Sequence, residues 1–153
     1  MNNNRVESAL ENNSNTNISS VLPENIIAKT PDKIIFFADD EELIRLSVAR
    51  SISNINKKFG EKHIVKAFNS AEDLLMNIDA DNKCDIVITD QNMGDMNGLE
   101  LIKKLRERNY PVKIYMASNY NKTEMEDIAK KAGGDGFFQA PIGENEIRLI
   151  LQM

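Results

Sequence analysis

The feature of this sequence that most constrains its fold is a regular alternation of short apolar segments with longer amphipathic ones. Short apolar runs predict buried strands, whereas apolar residues spaced three and four apart predict helices that bury one face. Strands that alternate with helices form a parallel sheet, with right-handed crossovers and helices on both faces. The predicted fold class is therefore α/β, a doubly wound five-stranded parallel sheet. The strands are predicted at 33–38, 63–68, 85–89, 112–117 and 136–139, and the helices at about 41–58, from Ser70 through Ile78, at 98–108, between Ser118 and Gly133, and at 145–153.

Composition excludes several classes of protein. The chain has 153 residues, a net charge of −5 and no basic cluster, so nucleic acid is not an expected partner. A single cysteine, Cys84, allows no internal disulfide and fits a reducing compartment, so we expect a cytoplasmic protein. One histidine, His63, gives little material for a zinc site, and we expect both residues to be structural rather than reactive. No apolar run is long enough for a membrane span.

The first 31 residues differ from the rest. Eight of them are asparagine, and apolar residues are scattered among serine and threonine. Asparagine and serine favour turns and coil. The sequence therefore predicts a flexible tail over 1–31 and a folded domain over 32–153; the alternative is a tail in which a segment around 22–27 docks on the domain or on a partner.

Acidic residues follow two of the predicted strands. Asp39 and Asp40 come directly after the first strand, and Asp90 follows the third. The carboxyl ends of parallel strands meet at one rim, where open α/β sheets bind their ligands. Converging carboxylates repel one another, and a bound Mg²⁺ removes that cost while leaving room for phosphate oxygens. The pattern favours a Mg²⁺ site that receives a phosphoryl group; the alternative is three acids that cap separate loops.

Ser118 ends the fourth strand at the same rim. A hydroxyl there can donate a hydrogen bond to a phosphoryl oxygen. Serine at a strand end also commonly caps a turn or a helix, so this position alone does not distinguish the two roles.

Taken together, these segments resemble the response-regulator receiver domain of two-component signalling, a flavodoxin-like (βα)5 fold. The resemblance covers Lys33 to Met153 and rests on the motifs Phe37–Glu41, Val87–Gly98, Ser118, Ala132–Phe137 and Ala140–Pro141. It implies that Asp90 is the phospho-acceptor and that Asp40, Asp90 and the backbone carbonyl of Asn92 hold Mg²⁺, with Asp39 acting mostly through water. It also implies that Ser118 is the switch hydroxyl, that Phe137 is the aromatic switch, and that a sensor histidine kinase or a phosphotransfer protein supplies the phosphoryl group.

The sequence departs from the family pattern at several positions. Ala140 stands where the family has a lysine directly before the proline, and that lysine would give a charge-assisted hydrogen bond to the phosphoryl group. Gly94 replaces a usual proline, Asn119 replaces a small residue and is expected to narrow access to Asp90, and the last helix is short. Lys113, Lys122 or a residue of a partner are candidates to replace the missing charge.

Three functions follow as hypotheses. The first is a stand-alone receiver that catalyses only its own phosphorylation and dephosphorylation, is not otherwise an enzyme, and signals to a downstream protein target by protein–protein contact. The second is a pseudo-receiver, a binding module whose state is independent of phosphorylation. The third is a phosphatase of the haloacid-dehalogenase type, which would use Asp39 and Glu41 but lacks clear candidates for its later lysine and acid pair.

Overall fold

A computed structural model describes residues 30–153 of the chain. A compact unit runs from Asp32 to Met153. The tail predicted over 1–31 lies outside the described residues except for its last two positions. None of the helices within 30–153 combines the length and the apolar character that a bilayer crossing requires.

Five strands alternate with five helices along the described chain, as the sequence predicts. Most of the predicted boundaries differ from the observed ones by one or two residues. The strands are β1 (Ile34–Ala38), β2 (Ile64–Phe68), β3 (Ile86–Thr89), β4 (Lys113–Ser118) and β5 (Gly136–Gln139), and the helices are α1 (Glu42–Phe59), α2 (Ala71–Asn77), α3 (Gly98–Glu107), α4 (Lys122–Ala132) and α5 (Glu144–Gln152).

The strands form one parallel sheet in the order β2-β1-β3-β4-β5. After β1 the chain adds β2 on one side and then adds β3, β4 and β5 on the other side. This is the doubly wound arrangement, and it confirms the predicted fold class. The register pairs Ala38 with Thr89 at the carboxyl ends of β1 and β3. The residues that follow these two strands are therefore neighbours at the rim.

Alternation along the strands divides the core into two layers. Phe36 and Val87 face the layer that contains α2, α3 and α4, whereas Ile35 and Phe37 face the layer that contains α1 and α5. All four side chains are almost fully buried. Complete burial of such side chains contributes about 1.5–3 kcal/mol each before entropy costs, so both layers fix the strands that carry the acidic residues.

Capping residues define most helix ends. The Ser70 hydroxyl accepts a hydrogen bond from the Asp73 backbone N–H at 3.1 Å, and Gly60 and Gly133 end α1 and α4 with positive φ angles, because glycine tolerates that conformation. Asp40 precedes α1 and is a residue type that favours N-caps, but Glu41 occupies the N-cap position of this helix and makes no side-chain capping bond.

Two helices differ from what local spacing predicts. Glu100 lies four residues before Lys104, a spacing that favours an ion pair, but its carboxylate accepts the Asn97 backbone N–H in a capping box at the start of α3. Ile128 lies three residues after Met125, a spacing that predicts a place on the buried face of α4, but it is 45% exposed. The buried residues of α4 are Met125 and Ala129.

His63 has a structural environment, as the sequence predicts. Its Nδ1 accepts the Lys33 backbone N–H at 3.0 Å, and its Nε2 lies 2.7 Å from a carboxylate oxygen of Glu61. The same oxygen of Glu61 accepts a hydrogen bond from Arg148 of α5 at 2.6 Å. This buried network joins the start of β1, the start of β2 and α5, far from the acidic rim.

Candidate functional site

The carboxyl ends of β1 and β3 place two aspartates next to each other. The Asp39 N–H donates to the Phe68 carbonyl at 3.1 Å, and the Asp90 N–H donates to the Ala38 carbonyl at 3.0 Å. These bonds extend the pairing of the parallel strands by one residue beyond each strand. The predicted convergence of Asp39 and Asp90 at one rim is therefore present in the structure.

Asp39 is the most buried of these acids, with 7% of its surface exposed. Burial raises the pKa of its carboxyl from 3.8 to about 6. The Glu41 backbone N–H, which donates to Asp39 Oδ1 at 2.8 Å, opposes that rise in pKa, whereas the charges of Asp90, Asp40 and Glu41 increase it. Ionised Asp39 is thus under electrostatic stress that a cation would relieve.

Asp39, Asp40 and Glu41 form a close acidic group. One carboxylate oxygen from each lies within 4.8 Å of the others. Carboxylate oxygens at this spacing fit a hard divalent cation such as Mg²⁺. The group contains Glu41, which was not among the predicted ligands. Asp90 is outside this group, but its charge raises the pKa of Asp39.

Asp90 has a polar environment suited to an acceptor carboxylate. Burial raises the pKa of Asp90, as does the charge of Asp40, whereas interactions with the Ser118 hydroxyl and with the backbone N–H groups of Gln91 and Asn92 lower it. Ser118 is itself buried at the end of β4. The predicted pair of Asp90 and Ser118 is therefore brought together at the rim.

The loop after Asp90 is held by hydrogen bonds to the backbone and the side chain of Gln91. The Gly98 N–H donates to the Gln91 carbonyl at 3.0 Å, and the Leu99 N–H donates to Gln91 Oε1 at 3.0 Å. A Cβ on Gly98 would lie 2.3 Å from the Asp90 carbonyl oxygen. Glycine at this position lets α3 begin directly beside Asp90, a packing requirement that the sequence motif did not reveal.

Tyr120 joins the loop after β4 to the loop that follows Asp90. Its hydroxyl donates to Asn92 Oδ1 at 3.2 Å, so the loop after β4 touches the loop after β3. The preceding residue, Asn119, is exposed at the same rim; that it narrows access to Asp90 stays a prediction. A tyrosine two residues after Ser118 is the only sequence signal for the contact with Asn92.

Arg45 is a second residue that sequence analysis missed. It lies in the first turn of α1, and its guanidinium donates to the Asp39 backbone carbonyl at 2.8 Å. This contact places a cation next to the acidic group and orients the chain at the end of β1. The sequence signal is an arginine one turn into the helix that follows the acid pair.

Phe137 and Ala140 lie on and just after β5. Phe137 is 3% exposed and packs in the layer of α2, α3 and α4, next to Met116 in register. The Ala140 N–H donates to the Ser118 carbonyl at 2.9 Å. Lys113 is the first residue of β4, at the end of the strands opposite to the acids, and its Nζ lies 3.9 Å from a carboxylate oxygen of Asp135. It therefore cannot replace a lysine at position 140.

The family model described as "Response regulator receiver domain" matches residues 35–152. The chain belongs to this family. Its members are signalling modules that generally bind Mg²⁺ at an acidic pocket and interact with histidine kinases or phosphotransfer proteins.

Relatives of this chain are regulators of several kinds. It is 31% identical over 115 residues to the transcriptional regulatory protein TdiR of Thauera aromatica, a match that covers 74% of this chain and 47% of TdiR. It is 29% identical over 123 residues to the chemotaxis protein CheY1 of Helicobacter pylori strain J99, covering 78% of this chain and 94% of CheY1. The chain thus spans about half the length of TdiR and nearly all of CheY1.

Solved structures show the same fold. The chemotaxis protein CheY4 of Vibrio cholerae superposes with a TM-score of 0.69 at 21% identity, over 79% of this chain and 97% of CheY4. The receiver domain of DrrB superposes with a TM-score of 0.66 at 19% identity, over 79% of this chain and 95% of that domain. These similarities confirm the flavodoxin-like receiver fold.

Proposed function

We propose that this receiver accepts a phosphoryl group on Asp90 in a Mg²⁺-dependent reaction and signals through protein–protein contact. The observation that carries the proposal is the position of Asp90: it follows buried β3 and is flanked by the charges of Asp39 and Asp40 and by the Ser118 hydroxyl. An acceptor for phosphoryl transfer needs a positioned nucleophile, compensation of charge on the transferred oxygens and aimed donors.

In the proposed reaction the Asp90 carboxylate oxygen attacks the phosphorus of a phosphohistidine. An O–P bond forms as the donor's P–N bond breaks, and the imidazole leaves with the bonding electron pair and takes a proton from solvent. Asp39, Asp40, Asp90 and the carbonyl of Asn92 would hold Mg²⁺, which supplies charge compensation for the phosphoryl oxygens. Burial raises the pKa of Asp90, and the backbone N–H groups of Gln91 and Asn92 and the Ser118 hydroxyl oppose that rise by favouring the ionised carboxylate that attacks.

The proposed switch follows from the position of Ser118. Its hydroxyl already interacts with the Asp90 carboxylate, and a phosphoryl group would add acceptor oxygens farther from β3. Ser118 would then turn toward those oxygens, and the space behind it would become available to Phe137 of the neighbouring strand. One charge-changing event would thus bias a two-state packing of β4, β5 and α4.

The second candidate is a pseudo-receiver that binds partners without phosphorylation. The observation that favours it is Ala140, which follows β5 beside Ser118 and supplies no cation to the site. Charge-assisted hydrogen bonds are among the strongest contacts available to a phosphoryl group. Without one in this position, coupling between phosphorylation and the switch would be weak.

Intact mass after incubation with phosphoramidate separates the two candidates. The proposed function predicts a single phosphoryl adduct that requires Mg²⁺ and is absent in Asp90→Asn. Asp81→Asn, in an exposed loop before β3, is the matched control and should form the adduct normally. A folded protein that binds Mg²⁺ but forms no adduct over hours would contradict the proposal and favour the pseudo-receiver.

A further inference from the structure

A cavity of about 270 Å³ lies beside the acidic rim, next to the carboxyl end of β5. At ~30 Å³ per water it holds roughly nine waters, which is ample room for a four-carbon chain. None of the side chains that line it is cationic. Its apolar lining consists of Phe37, Ile44, Ala117 and Ile142, and its polar lining includes Glu41 and Asn119. Ala140 also lines the cavity.

The cavity is adjacent to the proposed acceptor on two sides. On one side Ala140 donates its N–H to the Ser118 carbonyl at 2.9 Å, and the Ser118 hydroxyl interacts with Asp90. On the other side Glu41 donates its N–H to Asp39 Oδ1 at 2.8 Å. A group that enters the cavity along its apolar wall therefore arrives between the acids at the ends of β1 and β3.

The acids at this rim have an unbalanced negative charge. Within residues 30–153, the ion pairs involve neither the acidic group of residues 39–41 nor Asp90. Arg45 is close, but its guanidinium contacts the Asp39 backbone carbonyl rather than a carboxylate. A phosphoryl group on Asp90 would add further negative charge at the same place.

We propose that this cavity binds the side chain of a lysine presented by a partner protein, with the ammonium group directed at the phosphorylated rim. The proposal rests on the proposed function of Asp90 and names how a partner would recognise the phosphorylated form. The shape and the charge both fit a lysine. The four-carbon stem covers the apolar wall formed by Phe37 and Ile142, while the compact ammonium group reaches the acids.

The charge explains why the binding would depend on phosphorylation. Before transfer, Mg²⁺ compensates part of the repulsion among the acids. After transfer, the phosphoryl oxygens require a further donor, and Ala140 offers only a methyl group on the cavity side. A partner lysine completes the site only when the phosphoryl group is present, so the partner distinguishes the two states.

The test uses n-butylammonium as a probe for the lysine side chain and beryllofluoride as a stand-in for the phosphoryl group. Backbone amide spectra of the full chain give the dissociation constant of beryllofluoride in the presence of Mg²⁺. With butylammonium present, that constant should fall about threefold or more, with shifts of the Ala140 and Ile142 amides. Equimolar 1-butanol, which has the same stem without the charge, and sodium chloride at equal ionic strength should not have this effect.

Three variants test the location. Ala140→Leu fills the cavity without charge and should abolish the response to butylammonium, whereas Ala140→Lys should bind beryllofluoride tightly without the amine. Ala80→Lys adds the same charge in the exposed loop before β3, at the end of the strands opposite to the acids. This variant should respond to butylammonium as the wild-type chain does. A response that persists in Ala140→Leu would overturn the proposal.

Failure of this inference is distinguishable from failure of the proposed function. If beryllofluoride binds with Mg²⁺ but ignores butylammonium, the cavity proposal is wrong and the acceptor function stands. If beryllofluoride binds to no variant, including Ala140→Lys, the proposed acceptor function itself is contradicted.

Discussion

The Tyr120 hydroxyl donates a hydrogen bond to Asn92 Oδ1 at 3.2 Å and so joins the loop after β4 to the loop that follows Asp90. The contact holds the loop whose backbone carbonyl is proposed to bind Mg²⁺. A more mobile loop would admit water to the phosphorylated carboxyl group, so this hydrogen bond is expected to protect the acyl phosphate.

Tyr120→Phe should therefore accelerate hydrolysis of the phosphorylated protein about two- to tenfold, the range that corresponds to loss of one hydrogen bond. The aromatic ring remains, so stability should change little. Intact mass followed over time after removal of the donor gives the rate. The control is Tyr110→Phe, which also removes a tyrosine hydroxyl but lies before β4, at the end of the strands opposite to the acids. Equal rates of hydrolysis in the two variants would contradict the protective role.

Gly98→Ala should destabilise the fold and impair phosphorylation together. The added Cβ would lie 2.3 Å from the Asp90 carbonyl oxygen, so α3 and the acceptor strand must move apart, at a cost of about 1–3 kcal/mol. Urea denaturation measures the loss. Gly143→Ala is the matched control, because its Cβ would approach nothing closer than the Glu146 carboxylate at 3.5 Å. An equal loss in both variants would show that the close approach at Gly98 is relaxed easily.

Asp39→Asn should stabilise the protein at pH 7 in the absence of divalent cations. The folded state raises the pKa of Asp39 from 3.8 to about 6, so the stability contributed by the protonated form is present below pH 4 and is lost as the pH rises through 6. Removing the charge should recover about 1–3 kcal/mol at pH 7.

Thermal unfolding between pH 4.5 and 7, with and without Mg²⁺, measures this effect. The wild-type protein should gain more from Mg²⁺ than Asp39→Asn does, since the cation compensates the charge that the variant lacks. Asp81→Asn in an exposed loop is the control. A variant that is less stable than the wild-type protein at pH 7 without Mg²⁺ would contradict the account of the acidic group.

Cys84 should not react with thiol reagents in the native protein. It is 7% exposed, and burial, with a smaller effect from Asp85, raises the pKa of its thiol to about 12. About one thiol in ten thousand is ionised at pH 8, and the thiolate is the nucleophile. Labelling with a disulfide reagent should be complete only in denaturant; stoichiometric labelling of native protein within minutes would show that the residue is accessible.

Periodicity predicted the layers of the fold because it reports which side of each element is buried. The strands of the sheet and the buried face of α3 (Leu101, Ile102 and Leu105) follow from spacing alone. Ile128 shows the limit of that reasoning. Its spacing fits the buried face, but it is 45% exposed, because burial depends on how the helix packs in the folded chain and not on spacing alone.

The site was predictable where it depends on strand ends and unpredictable where it depends on contacts between loops. Asp39, Asp90 and Ser118 converge because each lies at the carboxyl end of a strand of one parallel sheet. The contacts of Arg45 with a backbone carbonyl and of Tyr120 with Asn92 join segments whose relative positions arise only in the folded structure. The cavity beside Ala140 likewise results from several elements that meet.

The central claim is that Asp90 carries the phosphoryl group, and the most direct measurement is to locate that group. Borohydride reduction of the phosphorylated protein converts an acyl phosphate of aspartate to homoserine, and peptide mass spectrometry then identifies the residue. The account predicts homoserine at position 90 and unmodified acids at 39–41. Reduction at Asp39 or Asp40, or no reduced residue in a protein that carries the phosphoryl mass, would contradict it.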